Sequence, residues 1–268
     1  MKQSLKIFRG EKGFALIEIA IALIVMGLVL GAGIPSFLHY LKWQKIQETK
    51  EKQEKILYSL AGFVLQNGFV PLPAAPYEKG ENFGLSRKSL NTPLDMRGLI
   101  PFKTLGLPES YSKDGFKRYF TYIGGGVQKE GGNLSAHSSF CQTHPVYPLK
   151  VDERQPSGSL SKRSDALASK SPVVLILMSH GESGYGSYRR SEGNIKQALK
   201  SHRKSLDKQQ NASQDLRVVN RGPSVKPQDF FDDIIVWVTR ENLMAFYGKR
   251  PCYQQEETRE EGIGHVVI

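Results

Sequence analysis

The sequence predicts an α+β protein: a long N-terminal helix, its first half transmembrane and its second half amphipathic, packed on a small antiparallel β-sheet head. Three observations predict it. From Phe14 to Leu38 the chain carries a single charge, Glu18. Further on, Ile56, Leu57, Leu60, Phe63 and Val64 recur at helical spacing. Beyond Asn67-Gly68 the apolar residues gather into short β-branched and aromatic runs separated by Pro, Gly and Ser.

The first apolar stretch exceeds the roughly 20 residues needed to cross a bilayer. Lys2, Lys6, Arg9 and Lys12 precede it against Glu11 alone, and such a basic flank holds the N-terminus in the cytoplasm. The rest of the chain is then expected outside. An ordinary secretory signal with a cut near Gly31-Ala32-Gly33 is the plainer alternative, but the apolar run continues past a usual signal core. Glu18 is the informative residue, because a carboxylate within an apolar membrane helix costs several kcal/mol unless it finds a partner.

The residues Gly13-Phe14-Ala15-Leu16-Ile17-Glu18, after a short basic leader and before a long apolar run, resemble the prepilin processing motif. The resemblance is to the type IV prepilins and type II secretion pseudopilins, and it implies a pilin-like fold. It further implies that a prepilin peptidase cuts after Gly13 and that the new N-terminal residue, Phe14, is methylated. Glu18 would pair with the N-terminal amine of a neighbouring pilin or pseudopilin subunit, giving the charge its partner. The organisation expected is a leader over 1–13, a transmembrane helix over 14–38, the periplasmic half of the helix over 39–67 and a head over 68–268. The location implied is the bacterial inner membrane, with the head periplasmic and the subunit assembled into a filament.

Gly27, Gly31, Gly33 and Pro35 weaken the helix within its membrane half, and Pro35 is expected to kink it. Lys42 to Lys55 reads as a solvated neck, with Glu48–Lys52 and Glu51–Lys55 at the favourable i, i+4 spacing. The apolar stripe that follows extends the helix to Asn67-Gly68; the whole, at 1.5 Å per residue, would be a rod of roughly 80 Å. A Pro-rich extended loop then leads to the Leu105-Gly106-Leu107-Pro108 turn and to three strands: Lys117 to Ile123, Pro172 to Ser179 and Phe230 to Thr239. Their order also resembles the heads of minor pseudopilins. Two polar segments, 150–171 and 188–228, read as surface insertions, partly disordered, with a short amphipathic helix open at Ile195, Leu199 and Leu206.

The formal net charge is +11, and residues 189–226 hold ten Lys or Arg against three Asp or Glu. A solvated loop accounts for this; a nucleic-acid contact is the sharper alternative. Two cysteines exclude a disulfide-dense scaffold, but Cys141 and Cys252 would form one bridge in an oxidising compartment. His137, Cys141 and His144 have ligand-like spacing without an apparent fourth ligand. Asp229, Asp232 and Asp233 are calcium candidates, although the EF-hand pattern is absent. Ser179-His180-Gly181-Glu182-Ser183-Gly184 departs from the nucleophile-elbow pattern and reads as a turn ending a strand. No cofactor and no catalytic residue is expected. The reading is a structural subunit rather than an enzyme, with a DNA-binding pilin and a signal-anchored periplasmic enzyme as alternatives.

Overall fold

The computed structural model describes residues 12–90, 92–124, 128–130, 133–135, 149–154, 160–165, 173–191, 194–197, 205–213, 215–226 and 229–245. The protein is mixed helix and sheet. It divides into two compact units, Met1–Lys45 and Ile46–Ile268, and one helix, α1 (Lys12–Asn67), contributes residues to both.

In the first unit the large apolar residues from Leu16 to Leu38 are 53–73% exposed. A helix that offers apolar residues on every side has found no protein core to bury them. It is the one helix among the described residues long and apolar enough to cross a membrane. The helical assignment runs through Pro35 without a break.

In the second unit α1 covers one face of the head. Ile56, Leu57, Leu60, Ala61 and Val64 are at most 4% exposed and form one core with residues of the sheet. The helix stops where the sequence signals it: Gly68 adopts φ +76°, and its N–H donates to the Val64 carbonyl at 2.8 Å. Contact with the head begins earlier than the apolar stripe, however. Thr49 and Gln53, expected in a solvated neck, are buried. Thr49 Oγ1 accepts from the Gly115 N–H at 3.0 Å, and Gln53 Nε2 donates to the carbonyls of Leu177 and Ile234 at 3.4 and 3.1 Å. Of the two expected helical ion pairs, Glu48–Lys52 forms at 2.7 Å, whereas Lys55 turns to the Tyr111 hydroxyl at 3.3 Å.

The strands are β1 (Arg97–Gly98), β2 (Thr121–Gly124), β3 (Gln128–Glu130), β4 (Asn133–Ser135), β5 (Lys150–Arg154), β6 (Leu160–Asp165), β7 (Val173–Ser179), β8 (Tyr188–Ser191), β9 (Asn194–Gln197), β10 (Arg217–Asn220) and β11 (Ile234–Thr239). Two short helices, α2 (Leu206–Ala212) and α3 (Arg240–Ala245), complete the regular structure. The main sheet is antiparallel, in the order β1-β2-β7-β11, with Tyr122 opposite Leu177 and Trp237 opposite Ile176. β7 and β11 fall within two of the segments read as strands, and β2 overlaps the third, running one residue past Ile123. Strands β3 and β4, and β8 and β9, pair as separate two-stranded ribbons.

Two cores share the main sheet. Leu175, Leu177, Tyr122, Val236 and Val238 pack in the cluster that contains the α1 residues, while Ile176, Met178, Ile123, Ile235 and Trp237 pack with Leu149, Val151 and Val218. The alternation along each strand puts these two sets on opposite faces of the sheet. A strand covered on both faces has no need for polar positions. That is why β7 reads as an uninterrupted apolar run, with Leu175 to Met178 fully buried.

The second cover is built by parts of the segments read as surface insertions, partly disordered. β5 pairs antiparallel with β6 and parallel with β10, giving a three-stranded sheet in the order β10-β5-β6. The short helix also differs from the expectation. Ile195 lies in strand β9, and the helix is α2, where Leu206 is 80% exposed and the buried residues are Asp207, Lys208, Asn211 and Ala212. Apolar spacing could not locate a helix whose inner face is mostly polar.

Candidate functional site

Gly13 and Phe14 lie in the first turn of α1, described by their backbone. Glu18, one turn further on, is exposed on the same helix as the apolar run. The N-terminal motif and the membrane-length stretch are therefore one continuous helical segment. Cys141, Cys252, His137 and His144 lie outside the described residues.

The head holds an ionic cluster that joins α2 to the main sheet. Its parts come from three places. β7 ends at Ser179, and the next residue, His180, is fully buried, followed by a tight turn with Gly181 at φ +62°. A Cβ at Gly181 would collide with the carbonyl oxygen of Asp232, so glycine lets the turn close on the segment before β11. Asp232 and Asp233 immediately precede β11. Lys208 lies on α2, whose first turn is capped by Ser205: its Oγ accepts from the Lys208 N–H at 3.2 Å.

Lys208 Nζ touches Oδ1 of Asp232 and Oδ1 of Asp233 and donates to the His180 carbonyl at 3.0 Å. The Lys208 and Asp233 side chains are both 0% exposed. The second oxygen of Asp233 accepts from Asn211 Nδ2 at 2.9 Å. Asp232 accepts from the Ser183 N–H at 2.7 Å and from its hydroxyl at 3.0 Å. His180 Nε2 is 3.0 Å from Thr121 Oγ1. Its Nδ1 sits 3.5 Å from Asp233 Oδ1, in electrostatic range but without a well-formed hydrogen bond. Burial pushes the His180 imidazole below its usual range against the pull of Asp233.

Burial alone would raise the Asp233 carboxyl, but Lys208 and His180 together outweigh it and hold the group below the usual carboxylate range. The sign of the pH dependence follows. A carboxyl with a depressed folded-state pKa stabilises the fold above the ordinary Asp value of about 4 and loses that contribution as pH falls through the folded value. The melting temperature of the head is expected to drop below about pH 4, more steeply than in Asp233→Asn, as read by circular dichroism. Equal slopes in the two proteins would remove Asp233 from this role.

The three calcium candidates have basic partners in the structure. Asp232 and Asp233 are occupied by Lys208, and Asp229 pairs with Arg221 at 2.7 Å. Among the described residues no group of three His, Cys, Asp or Glu is placed to hold a metal ion. The basic segment is likewise partly spent within the head: besides Lys208, Arg217 pairs with Asp152, and Arg221 pairs with Asp207 at 3.1 Å. Arg154 joins the same Asp207 at 2.9 Å. These pairs help to seat the second sheet and α2.

Sequence reasoning placed His180 only in a turn ending a strand and missed Lys208 and Asn211. The signal that existed was the Asp232-Asp233 pair opening an apolar strand, which asks for a buried cation to balance it. Nothing local named Lys208 as that cation among its many basic neighbours. Comparisons with family models, with curated proteins and with solved structures return no match for this chain.

Proposed function

We propose that the protein is a non-enzymatic structural subunit of the pilin or pseudopilin kind, held in the bacterial inner membrane by α1 until it assembles into a filament. One observation carries the reading: Gly13-Phe14 and Glu18 stand at the head of a helix whose apolar residues through Leu38 find no protein cover. A prepilin peptidase would cut after Gly13. The apolar helix would then pass from lipid into the packed helices of a filament, two surroundings that both bury it. The head, covered on both faces of its main sheet, is large for a repeating subunit, which favours a minor subunit of a type II secretion pseudopilus or type IV pilus. Its N-terminus is cytoplasmic by the basic flank, and its head is periplasmic.

Mass spectrometry of the mature N-terminus tests this directly. In cells with the peptidase the first residue is expected to be a methylated Phe14, and without it the leader is retained. An intact leader in both strains would sink the proposal.

A further inference from the structure

We propose that the acidic run at 256–261 docks on a row of basic residues at one end of the head, so that the row is occupied by the chain's own C-terminal segment. The proposal stands apart from the filament reading and rests only on the head.

The row follows from strand register. The antiparallel bridge between Tyr119 and Tyr188 sets Arg118 opposite Arg189, and the pairing of β8 with β9 sets Arg189 opposite Lys196. Three cationic positions therefore stand in line on neighbouring segments, spaced by about 5 Å. Like charges directly opposite one another are destabilising, so the line calls for an anion to offset it. Arg118 is held in place within it. Its guanidinium fills the space over Gly184, where a Cβ would lie 1.8 Å from Nη1, and Nη2 donates to the Glu182 carbonyl at 2.5 Å. Burial and the facing Arg189 both work against the Arg118 charge, and the pull of Asp114, Asp232 and Glu182 does not offset them. Two of those carboxylates are engaged elsewhere: Asp114 accepts from the Ser179 hydroxyl and from the N–H groups of Phe116 and Arg118, and Asp232 is held by Lys208 and Ser183. Arg189 is exposed, and among the described residues no carboxylate forms an ion pair with it or with Arg118.

Charge and reach name the occupant. The densest acidic run of the sequence is 256–261, where Glu256, Glu257, Glu260 and Glu261 stand against Arg259, a net charge of −3 for three cationic positions. The row lies at the Ser179 end of β7, just before β2, whose Thr121 pairs with Met178. β11 leads away from that end, from Ile234 opposite Ser179 to Thr239 opposite Val173. The way back is about 20 Å, the length of six residues of strand. Glu256 comes eleven residues after Ala245, the last residue of α3, and an extended chain of that length spans up to about 36 Å. A tethered anion also meets the row at a higher effective concentration than a free polyanion such as nucleic acid.

Carbodiimide, which joins an amine to a carboxylate in contact with it, tests this on the full chain in detergent. Tryptic mass mapping of the monomer fraction should find an amide between Lys196 and a glutamate of the 256–261 run. The link should vanish when Glu256→Gln, Glu257→Gln, Glu260→Gln and Glu261→Gln are combined. Labelling of arginine by phenylglyoxal gives a second readout: Arg189 should react about fivefold faster in the quadruple variant than in the wild type, and high salt should remove most of that difference by releasing the wild-type run. Equal labelling of Arg189 in the two proteins at low salt would overturn the proposal. A link found only in a dimer fraction would overturn it too, assigning the row to a second copy, as would protection of Arg189 that appears only on adding single-stranded DNA.

Discussion

Replacing Lys208 by Met is expected to destabilise the head by at least about 3 kcal/mol, the loss typical when one member of a buried ion pair is removed. Met fills a similar volume, so the effect reports charge rather than a cavity. Asp233 would remain fully buried beside Asp232, with Asn211 as its remaining well-formed donor. For a domain of this size that corresponds to a fall of roughly 10 °C in melting temperature. The double variant Lys208→Met with Asp233→Leu should recover part of the loss, since removing both charges together leaves no orphan. A single-variant loss under about 1 kcal/mol, within the range of exposed pairs, would show that the cluster is better hydrated than its burial implies.

The second large effect is expected at Glu18. Glu18→Leu should leave membrane insertion intact, because it makes the apolar stretch more apolar. Assembly should fail. In the proposed filament the new amine at Phe14 of one subunit is buried against a neighbour's helix, and Leu offers it no partner. A buried amine without its carboxylate costs about 3–5 kcal/mol, roughly a hundredfold or more in the assembly equilibrium. Fractionation of membrane and sheared filament separates the two steps, and wild-type levels of Glu18→Leu in the filament fraction would remove the pairing from the mechanism.

The two predictions differ in how far the sequence led to them. Glu18 is legible from one line of residues, because a lone carboxylate in an apolar run has no local explanation. Lys208 is not, since Lys, Arg, Ser and Gln crowd the segment around it and a buried lysine there looks like its solvated neighbours. The same composition concealed β5 and β10, whose apolar positions are only Val151, Val218 and Val219. Three valines within polar surroundings do not announce a sheet. They become one because β7 is apolar on both faces and its second face has to be covered.

What the sequence determined by itself was periodicity and local chemistry: the membrane-length apolar helix, its stop at Gly68, the segments that hold most of β2 and all of β7 and β11, and the processing motif as an expectation. Only the tertiary structure decided which face of the main sheet each segment covers, where helix α1 first meets the head, and which cation neutralises Asp232 and Asp233. Periodicity is a property of neighbours along the chain, whereas Lys208 lies 25 residues from Asp233. Pairing across that separation depends on burial, which a charge count does not contain.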